Sequence, residues 1–314
     1  MHPLFGRLPF DLNVSEPELS LSFDDPGITQ FLLKYHETLL PSLSEQQTLA
    51  NIVKHLCDVV DNLIVNPVGN LAKQIEEVRS VGSFKLGTLL AGHNTADVVI
   101  VTRILPTDEI IKGIRAHVEP HLSELGLCTT SLEYYGFSVK FDAALVRVFV
   151  TTTPNNLARS KAGIHVNPVS QKASLNAIWQ ARWSEEYVKH TTTKMLIRIL
   201  KDFRKRFKAF RCLSSWMITL LSVHAAMQYP SFPPLTLHQA FLRTLQLMAS
   251  GIFLPGSPGV LDPCEPGPVP LHYSKFVEQV TKETRLSFCW SEPVATKSAA
   301  KITKENAPAV PVVD

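Results

Sequence analysis

One stretch of the chain combines phosphate-binding residue types with a carboxylate. Val81–Leu105 reads VGSFKLGTLLAGHNTADVVIVTRIL, in which Gly82, Ser83 and a glycine-rich loop precede Asp97 at the start of an apolar strand. A glycine-serine turn can hold phosphate through backbone N–H groups and the serine hydroxyl. Nucleotidyl transfer further needs divalent cations, which bridge triphosphate oxygens and which carboxylates usually hold. The chemistry of this stretch therefore depends on which carboxylates accompany Asp97.

The carboxylates for a two-metal site are incomplete. Side chains at i and i+2 on a strand share a face, so a second carboxylate would stand at residue 99, which is valine. The next strand, ALVRVFVTTTP, has no acidic residue, and Asp142 just before it is the nearby substitute. We therefore predict that a two-metal clamp fails, and we assign no catalytic residue and no metal ligand. On a simpler interpretation, Gly82 and Gly87 only make turns and Asp97 caps a loop.

Composition restricts the class of protein. The 314 residues are 45% hydrophobic, which is ordinary for a folded protein with a core. No apolar run approaches the roughly 20 residues that a membrane-spanning helix needs, so we expect no membrane partner. The five cysteines are widely spaced and form no CxxC pair, which argues against a disulfide framework or a zinc site.

Most of the basic charge lies in one segment. Lys194–Arg211, KMLIRILKDFRKRFKAFR, holds eight Lys or Arg residues and one Asp in a chain whose net charge is +3. Arg198, Lys201, Lys205 and Lys208 recur at helical spacing opposite an apolar face, which predicts one basic stripe on a helix. The stripe is compatible with a solvated helix face, with phosphate contacts to RNA, or with a nuclear import signal. These four residues are the candidates for RNA contact.

Periodicity divides the chain into a mixed α/β part and a helical part. We expect an extended arm over 1–26, an α/β domain over 27–155, a helical domain with a dimerisation surface over 156–290 and a disordered tail over 291–314. ADVVIVTRIL has no polar face before Thr102, which is typical of a strand covered on both sides. The other predicted strands are QIEEVRSVGSF, SLEYYGFSVKFD and ALVRVFVTTTP. The predicted helices lie near Ile28–Leu40, Glu45–Val65, Ser170–His190, Thr191–Phe207, Leu213–Gln228 and Thr236–Ser250, and another begins at Pro106.

The last of these predicted helices is apolar over a wide arc. An exposed apolar surface of this kind is typical of a protein–protein contact. We therefore take Phe241, Leu245 and Met248 from this helix, with Pro255 from the Pro/Gly loop after it, as candidates for a dimer interface.

Several stretches together resemble a known family. IEEVRSVGSFKLGT and GHNTADVVIVTRILPT, supported by VVDNLIVNP, ARWSEE, KMLIRILKDFRKRF and GIFLPGSPGVLDPCE, resemble the DZF domain, the domain associated with zinc fingers. The resemblance covers about residues 8–265 and fades beyond Glu265. It implies an α+β, nucleotidyltransferase-like fold, in which a mixed sheet with helices is followed by an all-helical domain.

The resemblance also implies a function without catalysis. It implies that no cofactor is required and that ATP or another nucleotide is bound without turnover at a vestigial site formed by Gly82, Ser83 and Asp97. The implied partner is a larger DZF-domain protein with double-stranded-RNA-binding or zinc-finger modules, and RNA and DNA are reached through the complex. The implied location is the nucleus, and the implied roles are transcription regulation and RNA processing.

Two other functions remain open on the sequence. An active template-independent RNA nucleotidyltransferase would use Asp97, Asp142 and one acid that the pattern does not identify. A direct RNA-binding protein would use the basic stripe, and its affinity would fall steeply with ionic strength.

Overall fold

The computed structural model describes residues 25–66, 74–124, 126, 128–161, 163–227, 235–253, 259–264 and 269–270. Its helices are α1 (Pro26–Thr38), α2 (Leu43–Val65), α3 (Gly82–Leu86), α4 (Asp108–Ser123), α5 (Pro154–Leu157), α6 (Pro168–Tyr187), α7 (Thr191–Arg206), α8 (Ser215–Ala226) and α9 (Leu237–Ala249). Its strands are β1 (Ile75–Val81), β2 (Thr95–Thr102), β3 (Cys128–Glu133), β4 (Gly136–Phe141), β5 (Ala144–Thr152), β6 (Leu261–Asp262) and β7 (Val269–Pro270). The predicted arm, apart from its last residues, and the predicted tail lie outside the described residues.

Local sequence determines where two of the helices begin. The Ser42 hydroxyl accepts a hydrogen bond from the backbone N–H of Glu45, and the Glu45 carboxylate accepts one from the backbone N–H of Ser42 at 2.8 Å. This reciprocal capping box satisfies N–H groups that have no partner inside the helix. At α4 only one such bond forms, in which the Thr107 hydroxyl accepts from the backbone N–H of Ile110. Asp108 and Glu109 lie in the first turn of α4, where the helix dipole favours negative charge.

Five strands form one mixed sheet in the order β1-β2-β5-β4-β3. β2 pairs antiparallel with β1 and parallel with β5, while β4 is antiparallel to both β5 and β3. β2 thus has a neighbour on each side, and its residues 98–102 are buried. This confirms the prediction of a strand covered on both faces, which rested on its lack of a polar face.

The stretch SLEYYGFSVKFD, predicted as one strand, is a hairpin. β3 ends at Glu133, Tyr134 and Tyr135 form the turn, and β4 begins at Gly136. A Cβ on Gly136 would lie 2.2 Å from the carbonyl oxygen of Val148, so this close approach to β5 requires glycine. The prediction of a single strand was wrong because two tyrosines do not mark a turn as Asn-Gly or Asp-Gly would.

The two faces of the sheet pack against different helices. Val98 and Ile100 lie on one face, in a core that includes Ile114 of α4 and the apolar side of α2. Val99 lies on the opposite face and packs with Ile178 of α6. Because side chains alternate along a strand, Asp97 lies on the same face as Val99, towards α6.

Helices α7, α8 and α9 form a second core together with α1. Leu200 of α7 and Leu221 of α8 are completely buried in it, and Leu32 of α1 joins them. Trp183 of α6 meets Trp216 of α8 edge to face, with ring centroids 5.3 Å apart. The predicted α+β class, a mixed sheet with helices and then a helical part, is confirmed, while the predicted boundary between residues 155 and 156 stays a prediction. In the part of the chain that the structure describes, no helix is long and apolar enough to cross a membrane.

Candidate functional site

The turn from β1 into α3 lies directly against β2. Gly82, the first residue of α3, has φ +69°, a left-handed conformation that residues with a Cβ rarely adopt. A Cβ on Gly82 would lie 3.0 Å from Oδ2 of Asp97. Ser83 follows and lines two cavities, one of 420 Å³ and one of 160 Å³. The structure therefore brings together Gly82, Ser83 and Asp97, the three residues of the predicted vestigial site.

The carboxylate of Asp97 is paired with an arginine on the neighbouring strand. Asp97 and Arg147 are register partners across the parallel strands β2 and β5, and Nε of Arg147 donates to Oδ1 of Asp97 at 2.7 Å. Burial lowers the pKa of Arg147, but the hydrogen bond and the charge of Asp97 outweigh burial and leave that pKa raised. A cation, and not a further carboxylate, therefore stands beside Asp97 on the neighbouring strand.

Residue 99, where a second carboxylate would stand, is buried as well as apolar. Val99 is completely buried, and it packs under α6 on the face that Asp97 shares. Asp142, the substitute that the sequence suggested, is exposed in the turn between β4 and β5 and lines neither cavity. Among the described residues, no group of three or more His, Cys, Asp or Glu could hold a metal ion. The donors around Asp97 therefore do not fit a pair of divalent cations.

Lys201 of α7 reaches into the site from the helical part. Its side chain is only 7% exposed, and Nζ donates to Oγ of Ser83 at 2.8 Å, to Oγ1 of Thr88 at 2.9 Å and to the Thr88 carbonyl at 3.2 Å. Burial, with a smaller contribution from the charges of Arg204 and Arg198, lowers the pKa of Lys201 to about 7. All three acceptors are neutral oxygens, so none of them compensates the charge of the protonated amine.

Arg198, one turn earlier on α7, donates hydrogen bonds to the loop after α3, which also contains Thr88. Its guanidinium donates to the carbonyl of Gly87 at 2.5 Å and to the carbonyl of Leu89 at 3.2 Å. It also donates to Nε2 of His36 at 2.9 Å, and burial together with this cation lowers the pKa of His36. A neutral imidazole can accept that bond, so Arg198 joins α1, α7 and the loop after α3.

Two adjoining cavities flank Ser83. The larger has a volume of 420 Å³ and is lined by residues of α3, α6, α7 and α8, including Ala177, Ala181 and Trp216. The smaller, of 160 Å³, is lined by Asp97 and by four cationic side chains, those of Arg147, Lys201, Arg204 and Lys205. Ser83, Lys201 and Ser215 line both cavities, so the glycine-serine turn borders the two spaces.

The four candidates for RNA contact do not share one exposed stripe. Lys205 and Lys208 are exposed, as the prediction required. Lys201 is instead buried beside Ser83, and Arg198 is half-buried with its guanidinium held by loop carbonyls. The prediction of a single solvent-facing stripe was wrong because the loop after α3 packs onto this side of α7. Whether any of the four contacts RNA stays a prediction.

The dimer candidates on α9 are partly engaged within the chain. Phe241 lies edge to face against Phe203 of α7, with centroids 5.6 Å apart. Phe241 and Met248 pack against the helical core, while Leu245 is half-buried. Pro255 lies outside the described residues. A role for these residues in dimerisation stays a prediction.

The sequence alone did not identify the partners of the glycine-serine turn. Arg147 was missed because its pairing with Asp97 depends on strand register, although it is the one charged residue inside ALVRVFV. Thr88 was missed because nothing local marks it as an acceptor for Lys201. A lone charge within an otherwise apolar central strand was the signal that could have drawn attention to Arg147.

Two family models together match most of the chain. The model described as the DZF N-terminal domain matches residues 2–189, and the model described as the DZF C-terminal domain matches residues 192–295. The second match continues past Glu265, where we expected the resemblance to fade, so that expectation was wrong.

Several solved structures are similar in fold. A cytoplasmic RNA terminal U-transferase is 14% identical, with a TM-score of 0.42 over 67% of this chain and 55% of its own. The Cid1 poly(U) polymerase with Mg and 3'-dATP bound is 11% identical, with a TM-score of 0.46 over 71% of this chain and 74% of its own. E. coli MS115-1 CdnC with ATP is 12% identical, with a TM-score of 0.49 over 76% of this chain and 82% of its own. The chain spans little more than half the length of the U-transferase, and such likeness describes fold alone.

Proposed function

The chain belongs to the DZF family, and we propose that it is a catalytically inactive subunit of nucleotidyltransferase fold that acts by assembling with another protein. The observation that supports inactivity best is the ion pair between Arg147 and Asp97. Two-metal nucleotidyl transfer needs carboxylate oxygens free to coordinate both cations. Here Oδ1 of Asp97 already accepts a hydrogen bond from a guanidinium, and the side chain of Val99 has no oxygen.

A nucleotide-incorporation assay tests this part of the proposal. The full chain is incubated with an RNA primer, each labelled nucleoside triphosphate in turn, and either Mg²⁺ or Mn²⁺. We expect no incorporation above that of the Asp97→Ala variant, because one carboxylate cannot hold two ions. Incorporation by the wild-type chain that disappears in Asp97→Ala would identify an active RNA nucleotidyltransferase, the first alternative, and would overturn the proposal.

The proposed partner is a larger DZF-domain protein that carries double-stranded-RNA-binding or zinc-finger modules. Within the family, the motifs of this chain resemble interleukin enhancer-binding factor two, the smaller subunit of the nuclear factor of activated T cells heterodimer. On this proposal the chain works in the nucleus, in transcription regulation and RNA processing, and reaches RNA and DNA through the heterodimer. The half-buried apolar residues Phe241, Leu245 and Met248 are candidates for the contact.

Affinity purification from nuclear extract, followed by measurement of the intact mass of the complex, tests the assembly. We expect a heterodimer of one copy of this chain with one larger subunit. A chain that purifies alone or only as a homodimer would contradict the proposed assembly, whatever its catalytic activity.

Direct RNA binding is the second candidate function, and exposed Lys205 and Lys208 favour it. Phosphate contacts release counterions, so affinity for RNA should fall steeply with ionic strength. Salt-dependent binding by the lone chain would support direct recognition, whereas binding only in the presence of the partner would support recognition through the complex.

A further inference from the structure

The outer edge of β1 borders a groove between two helices. β1 lies at one end of the sheet and pairs, among the described strands, with β2 alone. Its residues 76–80 line a cavity of 380 Å³ together with side chains of α2 and α6, and we call this cavity the β1 groove. Alternate residues of an edge strand direct their N–H and C=O groups away from the sheet, where they can pair with another strand. Among the described residues, the backbone of 76–80 makes no backbone hydrogen bond outside the sheet.

The β1 groove has two different walls, because side chains alternate between the two faces of a strand. On one face, Val78 borders the same core as Cys57 and Ile64 of α2. On the opposite face, the carboxylate of Glu77 accepts a hydrogen bond at 3.3 Å from Arg182 of α6. A strand laid along β1 would therefore direct alternate side chains to an α2 wall and to an α6 wall.

The charges of the α6 wall are satisfied within the chain. Arg79 and Arg182 both pair with the carboxylate of Glu77, at 2.8 Å and 3.3 Å. Nζ of Lys85, at the end of this wall, lies 2.9 Å from the carboxylate of Glu185. Among the described residues, no other cation lines the β1 groove. A side chain placed against the α6 wall therefore meets no free charge and should be small and uncharged.

The other side of the β1 groove keeps two carboxylates without a counter-charge. Asp61 of α2 and Glu76 of β1 are exposed, and neither takes part in an ion pair among the described residues. Partial burial and the charge of Asp58 raise the pKa of Asp61. A cation beside Asp61 would offset both effects, whereas a phosphate group would be repelled. The β1 groove therefore suits a basic peptide and does not suit a nucleic acid.

We propose that the β1 groove binds an extended segment of a partner protein, which adds a strand to β1 and places a lysine or arginine beside Asp61. Apolar side chains two residues before and after this cation pack against Ile64 and Val78 on the α2 wall. In this mode of recognition the main-chain hydrogen bonds supply affinity, and the alternating side chains supply specificity. The exposed charges of Glu76 and Arg79 on the edge strand oppose pairing with uncharged strands.

Occupants from this chain complement the β1 groove less well. A second copy would bring the same excess of negative charge to the contact. Residues 1–24 contain one Arg, no Lys and four acidic residues, so they are acidic as well. The described residues that line the β1 groove include none from α9, so the contact is separate from the dimer candidates and goes beyond the proposed function.

Fluorescence anisotropy of the full chain with labelled synthetic peptides tests the proposal. The probe is Ser-Val-Ser-Lys-Ser-Val-Ser, which presents valine, lysine and valine on one side of a strand. We expect it to bind about tenfold more tightly than the same peptide with glutamate in place of lysine, because a like charge would then face Asp61. Asp61→Lys should reverse this preference. Glu124→Lys, the same change of charge at an exposed carboxylate at the end of α4, is the matched control and should keep the wild-type preference.

N-methylated versions of the probe distinguish strand addition from binding by charge alone. Successive N–H groups of a strand point to opposite sides. Methylation of one alternate set of peptide nitrogens should therefore abolish binding, and methylation of the other set should preserve it.

Four results would each rule out the inference. They are no binding of any peptide, equal affinity for the lysine and glutamate peptides, an unreversed preference in Asp61→Lys, and equal effects of the two methylated sets. A wild-type dimer that dissociates in Asp61→Lys, measured by sedimentation, would instead make a second copy the occupant and would also contradict it. None of these measurements depends on nucleotide incorporation or on the heterodimer, so the proposed function is tested separately.

Discussion

Asp97 and Arg147 face each other across the parallel strands β2 and β5, joined by a 2.7 Å hydrogen bond from Nε to Oδ1. The pair lies at the edge of a cationic cavity, where Lys201 approaches the glycine-serine turn from the helical part. The negative charge of Asp97 is thus balanced by the guanidinium of Arg147, a cation of the protein itself.

The coupling between Asp97 and Arg147 can be measured with a double-mutant cycle. We expect Asp97→Asn and Arg147→Met each to lower the free energy of unfolding, and the pair to show a coupling energy of about 1 kcal/mol. The value is modest because the Arg147 side chain is 42% exposed and water screens the charges. Urea denaturation of the wild type, both single variants and the double variant gives the coupling, and strictly additive effects would contradict it.

Gly82 should be more sensitive to a methyl group than Gly87, although both have nearly the same φ. The values are +69° and +68°, so alanine costs about 1–2 kcal/mol of backbone strain at either position. Only at Gly82 does the added Cβ meet Oδ2 of Asp97, at 3.0 Å, whereas nothing lies within 4 Å at Gly87. Gly82→Ala should therefore lower the free energy of unfolding by about 1 kcal/mol more than Gly87→Ala, since it displaces Asp97 from its ion pair.

Repeating both glycine substitutions in the Asp97→Ala variant identifies the cause of that difference. In an Asp97→Ala protein the carboxylate is gone, so the two glycine substitutions should then cost the same in denaturant titrations. A difference that persists in Asp97→Ala would assign the sensitivity of Gly82 to something other than Asp97.

Much of the local structure was predictable because its causes are local. The capping box of Ser42 and Glu45 depends on residues three apart, and the burial of β2 follows from its continuous apolar composition. The arrangement of the site was less predictable. Arg147 lies beside Asp97 because of the register of β2 and β5. The spacing of the basic residues on α7 suggested a solvated stripe, but Lys201 is bonded to Thr88 in a loop that is distant in sequence. Side chains of this kind are positioned by packing between segments far apart in sequence.

The stability of the protein should rise with pH just above neutrality because of Lys201. Folding lowers the pKa of Lys201 from its ordinary value of 10.5 to about 7, so the unfolded state binds more protons between these values. Stability therefore increases with pH across that window. Lys201→Met should remove a slope of up to about 1.4 kcal/mol per pH unit from the free energy of unfolding.

Denaturant titrations from pH 7 to pH 9 isolate this effect. Burial raises the pKa of Cys57 to about 11 and that of Tyr35 to about 12, so these groups lose their protons first in the unfolded state and lower the stability as the pH rises towards and above 9. Both groups are present in the wild type and in Lys201→Met, so the difference between the two slopes reports Lys201. Lys205→Met changes an exposed lysine of the same helix and should keep the wild-type slope. An unchanged slope in Lys201→Met would mean that Lys201 stays charged in the folded protein.

Replacing the basic residues of α7 and of the turn after it should have two different effects. Some replacements should change RNA binding and leave stability unchanged, and others should lower stability. Lys205 and Lys208 are exposed, so their replacement by Ala should leave the fold intact. If each contacts a phosphate, each replacement should reduce the salt slope of RNA affinity by about 0.7–0.9. Arg198→Ala should instead destabilise the fold by about 1.5–3 kcal/mol, because the guanidinium donates to the carbonyls of Gly87 and Leu89.

Fluorescence anisotropy with a labelled RNA duplex, repeated over a range of salt concentrations, measures the slope for the lone chain and for its complex. A reduced slope in Lys205→Ala and Lys208→Ala, with unchanged denaturation midpoints, would assign phosphate contact to this end of α7. Slopes equal to that of the wild type in both variants would show that these lysines form a solvated surface, since counterion release depends on the number of phosphates neutralised and not on total protein charge.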